Sequence, residues 1–222
     1  LIIACPCALG HGWPMSIMVA TGRGATQSVL FRDAAAIEHM CRVDTLIVDK
    51  TGTLTEGRPR FERTVAAPGW GEAEVLRLAA SLDQGSEHPL AAAIVAAARQ
   101  QGLALDAAEQ FDSASGIGVR GRIAGRALAL GNTVLMQQSN VNTGPLAQTA
   151  EALRGEGASV MFLAVDGQLA GLLAVSDPIK ASTPDALAAL HAAGLRIIMA
   201  TGDGLTTAGA VGRRLGIDEV HG

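Results

Sequence analysis

Asp49-Lys50-Thr51-Gly52-Thr53-Leu54-Thr55 follows directly on Thr45-Leu46-Ile47-Val48, an apolar run with the look of a buried parallel strand. A carboxylate at the carboxyl end of such a strand stands where open α/β sheets bind ligands. There it can attack a phosphoryl group and split a hydrolysis into two easier steps. Lys50 offsets the charge, and the turn that follows presents backbone N–H groups to phosphate oxygens. A strand closed by an ordinary polar turn does not call for so specific a string.

Working outward, a second apolar run at 196–200 leads into Thr201-Gly202-Asp203. Alone, these three residues read as a simple turn; paired with the first string across a long intervening segment, they read as its partner. In between, Gly57, Pro59, Pro68 and Gly69 predict a linker, then helices at 72–82 and 89–101, the second closed by Gly102. Short β segments follow from 118 to 130, then a hairpin of 160–165 and 169–175 turning at Asp166-Gly167. From Asp177 the α/β rhythm returns, with helices from Thr183-Pro184 to Gly194 and over about 207–215. The organisation expected is α/β: a Rossmann-like parallel-sheet domain in two parts, 44–57 and 175–222, split by an inserted α+β domain at 58–174. A membrane-helix stub at 1–20 and a stalk at 21–43 precede it.

The 222 residues are 49% hydrophobic, with a mean hydropathy of +0.30. The excess lies in the uncharged start and in later alanine-rich stretches. With a net charge of −4 there is no basic surface for nucleic acid. Three cysteines, Cys5, Cys7 and Cys41, are too few for a disulfide scaffold and point to reduced thiols facing a cytosol. No basic stretch precedes the apolar start, so it does not read as a signal peptide; the reading expected is the interior of a membrane span, broken at Pro6 and Pro14.

Cys5-Pro6-Cys7 sits in that start. Residues two apart on a helix point about 200° from one another, and Pro6 removes a backbone bond and opens the turn so that both thiols can meet. Two thiolates suit Cu(I), with Zn²⁺ and Cd²⁺ as alternatives; the plainer reading is two small cysteines flanking a kink. No GxxxxGK[ST] loop occurs. In Ser86-Glu87-His88-Pro89-Leu90, Pro89 pushes His88 out of helical geometry and presents it at a helix start, where it can stack on adenine or simply cap. Gly116-Ile117-Gly118 and Gly131-Asn132 lack the Cβ atoms that would keep a nucleotide off the backbone.

The string from Asp49 to Thr55 resembles the phosphorylation motif of the P-type ATPases, within the haloacid dehalogenase-like superfamily. Thr201-Gly202-Asp203 resembles the second motif of that superfamily, and Ser176-Asp177-Pro178-Ile179-Lys180 its hinge. Residues 86–90 are similar to the nucleotide-domain signature of heavy-metal pumps, and residues 14–25 and 171–184 to the copper branch. The resemblance implies ATP-driven export of Cu(I) through an aspartyl phosphate on Asp49. It implies that Lys50 balances charge and that Asp49 and the Thr51 carbonyl hold Mg²⁺. Thr201 and Gly202 would hold the transferring phosphoryl group, and Asp203 would support the nucleotide. Asp83, Glu87, His88, Gly116, Gly118, Gly131 and Asn132 would bind ATP, and Cys5 and Cys7 the transported copper. Membrane lipid and a copper chaperone are the implied further partners, in a multi-pass protein of a bacterial plasma membrane with cytoplasmic ATP-binding domains. A chain that stops at Gly222, before the expected GDGxND segment, should bind nucleotide but not pump.

Several positions depart from the family pattern. Related phosphatases carry an acid/base aspartate where Thr51 stands, which favours a phosphoenzyme that persists. Asp83 replaces the usual glutamate, Gly204 an asparagine, and His11-Gly12-Trp13 interrupt the segment after the cysteines. A Zn²⁺ or Cd²⁺ pump and a soluble phosphatase of the same superfamily are the alternative readings, with a non-catalytic nucleotide-binding fragment behind them.

Overall fold

Pro14 does not end its helix: α1 (Cys7–Thr26) runs unbroken through it, where the sequence predicts an interruption. Proline removes one ladder bond and crowds the preceding turn, and the flanking turns carry the helix across. The structure, a computed structural model, describes residues 7–114 and 116–222, with side chains from residue 15 onward. Cys5 and Pro6 lie outside the described residues, and Cys7 is described in its backbone alone. The chain divides into a unit of residues 1–46 and one of residues 47–222. In the first, α1 closes in a turn where Gln27 and Val29 donate to Gly24 O. The helix α2 (Ala34–Met40) is capped by Asp33, whose Oδ1 accepts from Ala36 N at 2.8 Å. Among the described residues no helix is long and apolar enough to cross a membrane. Cys41 is a free, exposed thiol.

From that boundary the order is β1 (Thr45–Asp49), β2 (Arg60–Ala66), α3 (Glu72–Asp83), α4 (Pro89–Gln100), β3 (Glu109–Ala114), β4 (Gly118–Ile123) and β5 (Arg126–Gly131). There follow α5 (Thr133–Gln138), α6 (Gly144–Gly155), β6 (Ser159–Val165), β7 (Gln168–Ser176), α7 (Thr183–Ala192), β8 (Arg196–Ala200), α8 (Leu205–Leu215) and β9 (Glu219–His221). They make two sheets, one of three strands in the order β1-β8-β9 and one of six in the order β2-β7-β6-β5-β4-β3.

In the smaller sheet β8 and β9 run parallel, Ile198 opposite Glu219. The buried strand is β8, with Ile197 and Met199 fully covered by Leu54, Leu187, Ala208 and Val211. β1, predicted to be a buried strand, is not one. It lies at the sheet edge, and Ile47 is 68% exposed, because an edge strand in a sheet this small has one neighbour instead of two.

The larger sheet is antiparallel throughout and packed on both faces. Leu163, Val165, Leu173 and Val175 meet α3 and α4. Their neighbours in sequence, Phe162, Ala164, Leu172 and Ala174, meet α5 and α6. Alternation by two therefore sends apolar residues both ways, which is why β6 and β7 read as continuous apolar runs. Asp166 and Gly167 turn with φ of 49° and 77°, the pair of left-handed residues that a two-residue hairpin needs. The linker expected at 57–69 contains β2, an edge strand bulged between Phe61 and Arg63. Its charged residues protect an exposed edge and hide the strand from a pattern search.

Candidate functional site

The chain leaves the three-stranded region after Thr55 and returns at Asp177, and these two crossings are sewn together. Thr55 pairs with Ile179, and Glu56 N donates to Pro178 O at 2.8 Å. Thr55 Oγ1 donates to Asp177 Oδ2 at 2.5 Å, while Asp177 Oδ1 accepts from Arg58 N at 3.1 Å. Lys180 Nζ donates to Gly52 O at 2.6 Å, and Thr183 Oγ1 to Leu54 O at 2.7 Å. The turn from Asp49 to Thr55 closes on itself where Thr55 N donates to Lys50 O at 3.2 Å and is held from outside by the hinge segment, so Thr51 and Gly52 (φ 75°) can leave helical geometry.

Asp49 ends β1 and is exposed; Lys50 beside it is buried. Lys50 Nζ forms an ion pair with Asp203 Oδ2, the two side chains being 7% and 23% exposed. That pair brings the two motifs to one edge, the carboxyl ends of β1 and β8. Thr201 Oγ1 accepts from Asp203 N at 3.2 Å, forming the turn after β8. The exposed Asp49 carboxylate and the carbonyl of Thr51 are two hard oxygen donors. Such a pair fits a Mg²⁺ ion that keeps several waters and takes the rest of its shell from phosphate. Among the described residues no cluster of three or more acidic, His or Cys side chains forms a closed metal cage.

Above this edge opens a cleft of about 840 Å³. All seven residues expected to bind nucleotide line it: Asp83, Glu87, His88, Gly116, Gly118, Gly131 and Asn132. Gly202 and Asp203 line it too, whereas Asp49, Lys50, Thr51 and Thr201 do not. His88 caps α4, its Nδ1 accepting from Leu90 N at 3.2 Å with Pro89 in the first helical position. The cap occupies Nδ1, and His88 is an exposed residue of the cleft wall.

The glycines divide into two kinds. Gly118 and Gly131 are partners across β4 and β5. A Cβ on Gly118 would stand 2.6 Å from Gly131 Cα, and one on Gly131 would stand 2.9 Å from Gly118 Cα. Their bareness serves the sheet itself. Gly116 has open space around its Cβ position and a φ of 72°, and its carbonyl accepts from Asn132 Nδ2 at 2.9 Å. Of these three, only Gly116 leaves room for a ligand where a side chain would stand.

Asp83 ends α3 almost fully covered, with Oδ2 lacking any hydrogen-bond partner. Burial pushes its carboxyl up from the ordinary 3.8 to about 7. Near neutrality it is therefore an acceptor or a donor, poised inside the cleft.

Sequence reading did not single out Arg154 and Glu151, which also line the cleft. They form an i,i+3 pair at 2.5 Å on α6, indistinguishable in sequence from a solvated helix pair.

A model of the haloacid dehalogenase-like hydrolases matches residues 43–221. The chain belongs to that family. As a haloacid dehalogenase-like hydrolase it is 51% identical over 221 residues to a silver exporting P-type ATPase of Salmonella typhimurium, covering all of this chain and 27% of that protein. It is 54% identical over 221 residues to a copper-transporting P-type ATPase of Rhizobium leguminosarum bv. viciae, again covering the whole chain and 26% of the relative. The chain thus spans about a quarter of the length of these curated relatives. The crystal structure of a zinc-transporting PIB-type ATPase in the E2.Pi state superposes with a TM-score of 0.72 at 32% identity, over 97% of this chain and 35% of that one.

Proposed function

We propose that this chain is the ATP-handling part of a copper(I)-exporting P-type ATPase, with 58–174 as its nucleotide-binding domain and 44–57 and 175–222 as its phosphorylation domain. The observation that carries this reading is the Lys50–Asp203 pair, which unites the two motifs at one strand edge beside the cleft. ATP would lie with adenine against His88 and Asp83 and its phosphates toward Gly202 and Asp203. An Asp49 carboxylate oxygen then attacks the γ-phosphorus; that O–P bond forms as the bond to the departing ADP oxygen breaks. Lys50 holds positive charge next to the acceptor carboxylate. Mg²⁺, when bound by Asp49 and the Thr51 carbonyl, would neutralise charge on the phosphate oxygens. Threonine at position 51 offers no carboxylate there to activate water, and the Asp203 carboxylate is engaged by Lys50, so the aspartyl phosphate persists.

Identities of 51% to a silver exporting and 54% to a copper-transporting P-type ATPase favour a soft monovalent ion as cargo, with Cys5 and Cys7 as its ligands. A zinc pump is the second reading, supported by the zinc-transporting neighbour at lower identity. In either case the whole protein would sit in a bacterial plasma membrane with these domains on the cytoplasmic side. Calorimetry of the 222-residue chain with ATP tests the nucleotide reading: binding is expected, and His88→Ala should weaken it at least tenfold. A folded wild-type chain that binds no ATP would remove the proposal. In the complete pump, Cu(I) should stimulate ATPase activity and Zn²⁺ should not; the reverse would assign the cargo to zinc.

A further inference from the structure

The cleft is acidic for a site that is to hold a polyphosphate. Asp83, Glu87, Glu151 and Asp203 line it, and Arg154 is the one permanent cation among its described lining residues. We propose that Arg154 is the residue that receives the phosphate chain of the nucleotide, released to it from Glu151. This rests on the nucleotide reading given above and adds a recognition residue to it.

The geometry puts Arg154 between the two walls. Its Nη2 lies 3.4 Å from Thr133 Oγ1. Thr133 follows Asn132, whose side chain is bonded to the Gly116 carbonyl. On the other side, Arg154 Nη1 donates to Glu151 Oε1 at 2.5 Å, and Glu151 Oε2 accepts from Thr206 Oγ1 at 3.4 Å, just beyond the Thr201–Asp203 turn. The guanidinium carbon lies 5.7 Å from the Phe162 ring centroid, a cation–π contact that uses none of its N–H donors. Its side chain is only 18% exposed, so the charge is partly desolvated and its fork already oriented. Glu151, at 58% exposure, can turn to water when a phosphate offers a stronger bidentate acceptor.

Calorimetry of the full chain with adenosine, AMP, ADP and ATP, with no added metal, tests this. Wild type should bind ATP and ADP more tightly than AMP. Arg154→Ala should lose about tenfold for ATP and ADP while adenosine and AMP stay within about twofold. Arg154→Lys, which keeps charge but not the fork, should recover part of the loss. Glu151→Gln should bind ATP more tightly than wild type, because the competing carboxylate is gone. Unchanged ATP binding in Arg154→Ala would overturn the inference, as would an equal loss for adenosine and ATP, which would assign Arg154 a structural role on Phe162. If wild type binds no nucleotide, the broader reading falls and this one with it. If wild type binds and His88→Ala weakens all four ligands alike, that reading stands whatever Arg154 does.

Discussion

The two sheets solve the same problem with unequal means. The six-stranded sheet has helices on both faces and two apolar cores, whereas the three-stranded sheet has one small core and leaves Ile47 of β1 uncovered. Side chains proposed for nucleotide recognition sit on the heavily packed half. The residue proposed for chemistry, Asp49, sits at the thin edge. Recognition needs a rigid wall, and the wall is where apolar burial is concentrated; the carboxylate that must meet an incoming phosphate is left open to solvent.

The largest expected effect breaks that comparison most directly. Phe162→Ala should cost about 3–5 kcal/mol in the six-stranded half, since it empties a fully buried aromatic site and removes the surface under Arg154. For a matched pair of side chains, Met136→Ala in the same half should cost about 3–5 kcal/mol, and Met199→Ala, equally buried in the three-stranded half, about 2–3 kcal/mol because fewer neighbours surround the void. Urea unfolding followed by circular dichroism compares the two; equal costs would mean that the halves are packed alike.

A second experiment turns on pH. The Asp83 carboxyl is raised by burial to about 7, so the folded state holds a proton that the unfolded chain has released above about 3.8. Stability from this group is complete below pH 3.8 and is lost as pH rises through about 7. Holding that proton up to about pH 7 instead of 3.8 corresponds to a contribution on the order of 4 kcal/mol. Asp83→Asn should therefore melt at a higher temperature than wild type at pH 8, with the gap closing toward pH 4. A pH-independent gap would show that Asp83 is not protonated in the fold. The smallest effect concerns the seam between the halves. Thr55→Val removes the hydroxyl shared by Gly52 and Asp177, and should cost about 1–3 kcal/mol by leaving partly buried partners unmet. Thermal melting reads it, and no change would mean that the backbone bridge at Ile179 suffices.

Much of this was legible in sequence, for identifiable reasons. The hairpin at Asp166-Gly167 was readable because only certain residues tolerate two left-handed positions in a row. His88 was readable because Pro89 announces a helix start. The two motifs could be named from sequence, but the contact that joins them, Lys50 to Asp203, spans most of the chain and left no local trace. The strand β2 was missed because it is an edge, and its charges mask its period. Gly118 and Gly131 read in sequence as room for a nucleotide, yet their register shows that the sheet needs them bare on its own account. Arg154 could not be found at all from sequence, since its environment is made by β6, α5 and α8 together.

The seam at Thr55 and Asp177 has a consequence for how such a chain varies. Glu56 and Pro178 are bonded neighbours, although more than half of the chain separates them. Whatever lies between enters and leaves through one doorway, so its length and contents can change without altering the distance that the three-stranded sheet must span. A six-stranded module with abutting ends can be excised, exchanged or enlarged as a cassette, and the frame that receives it closes over a single bridged pair.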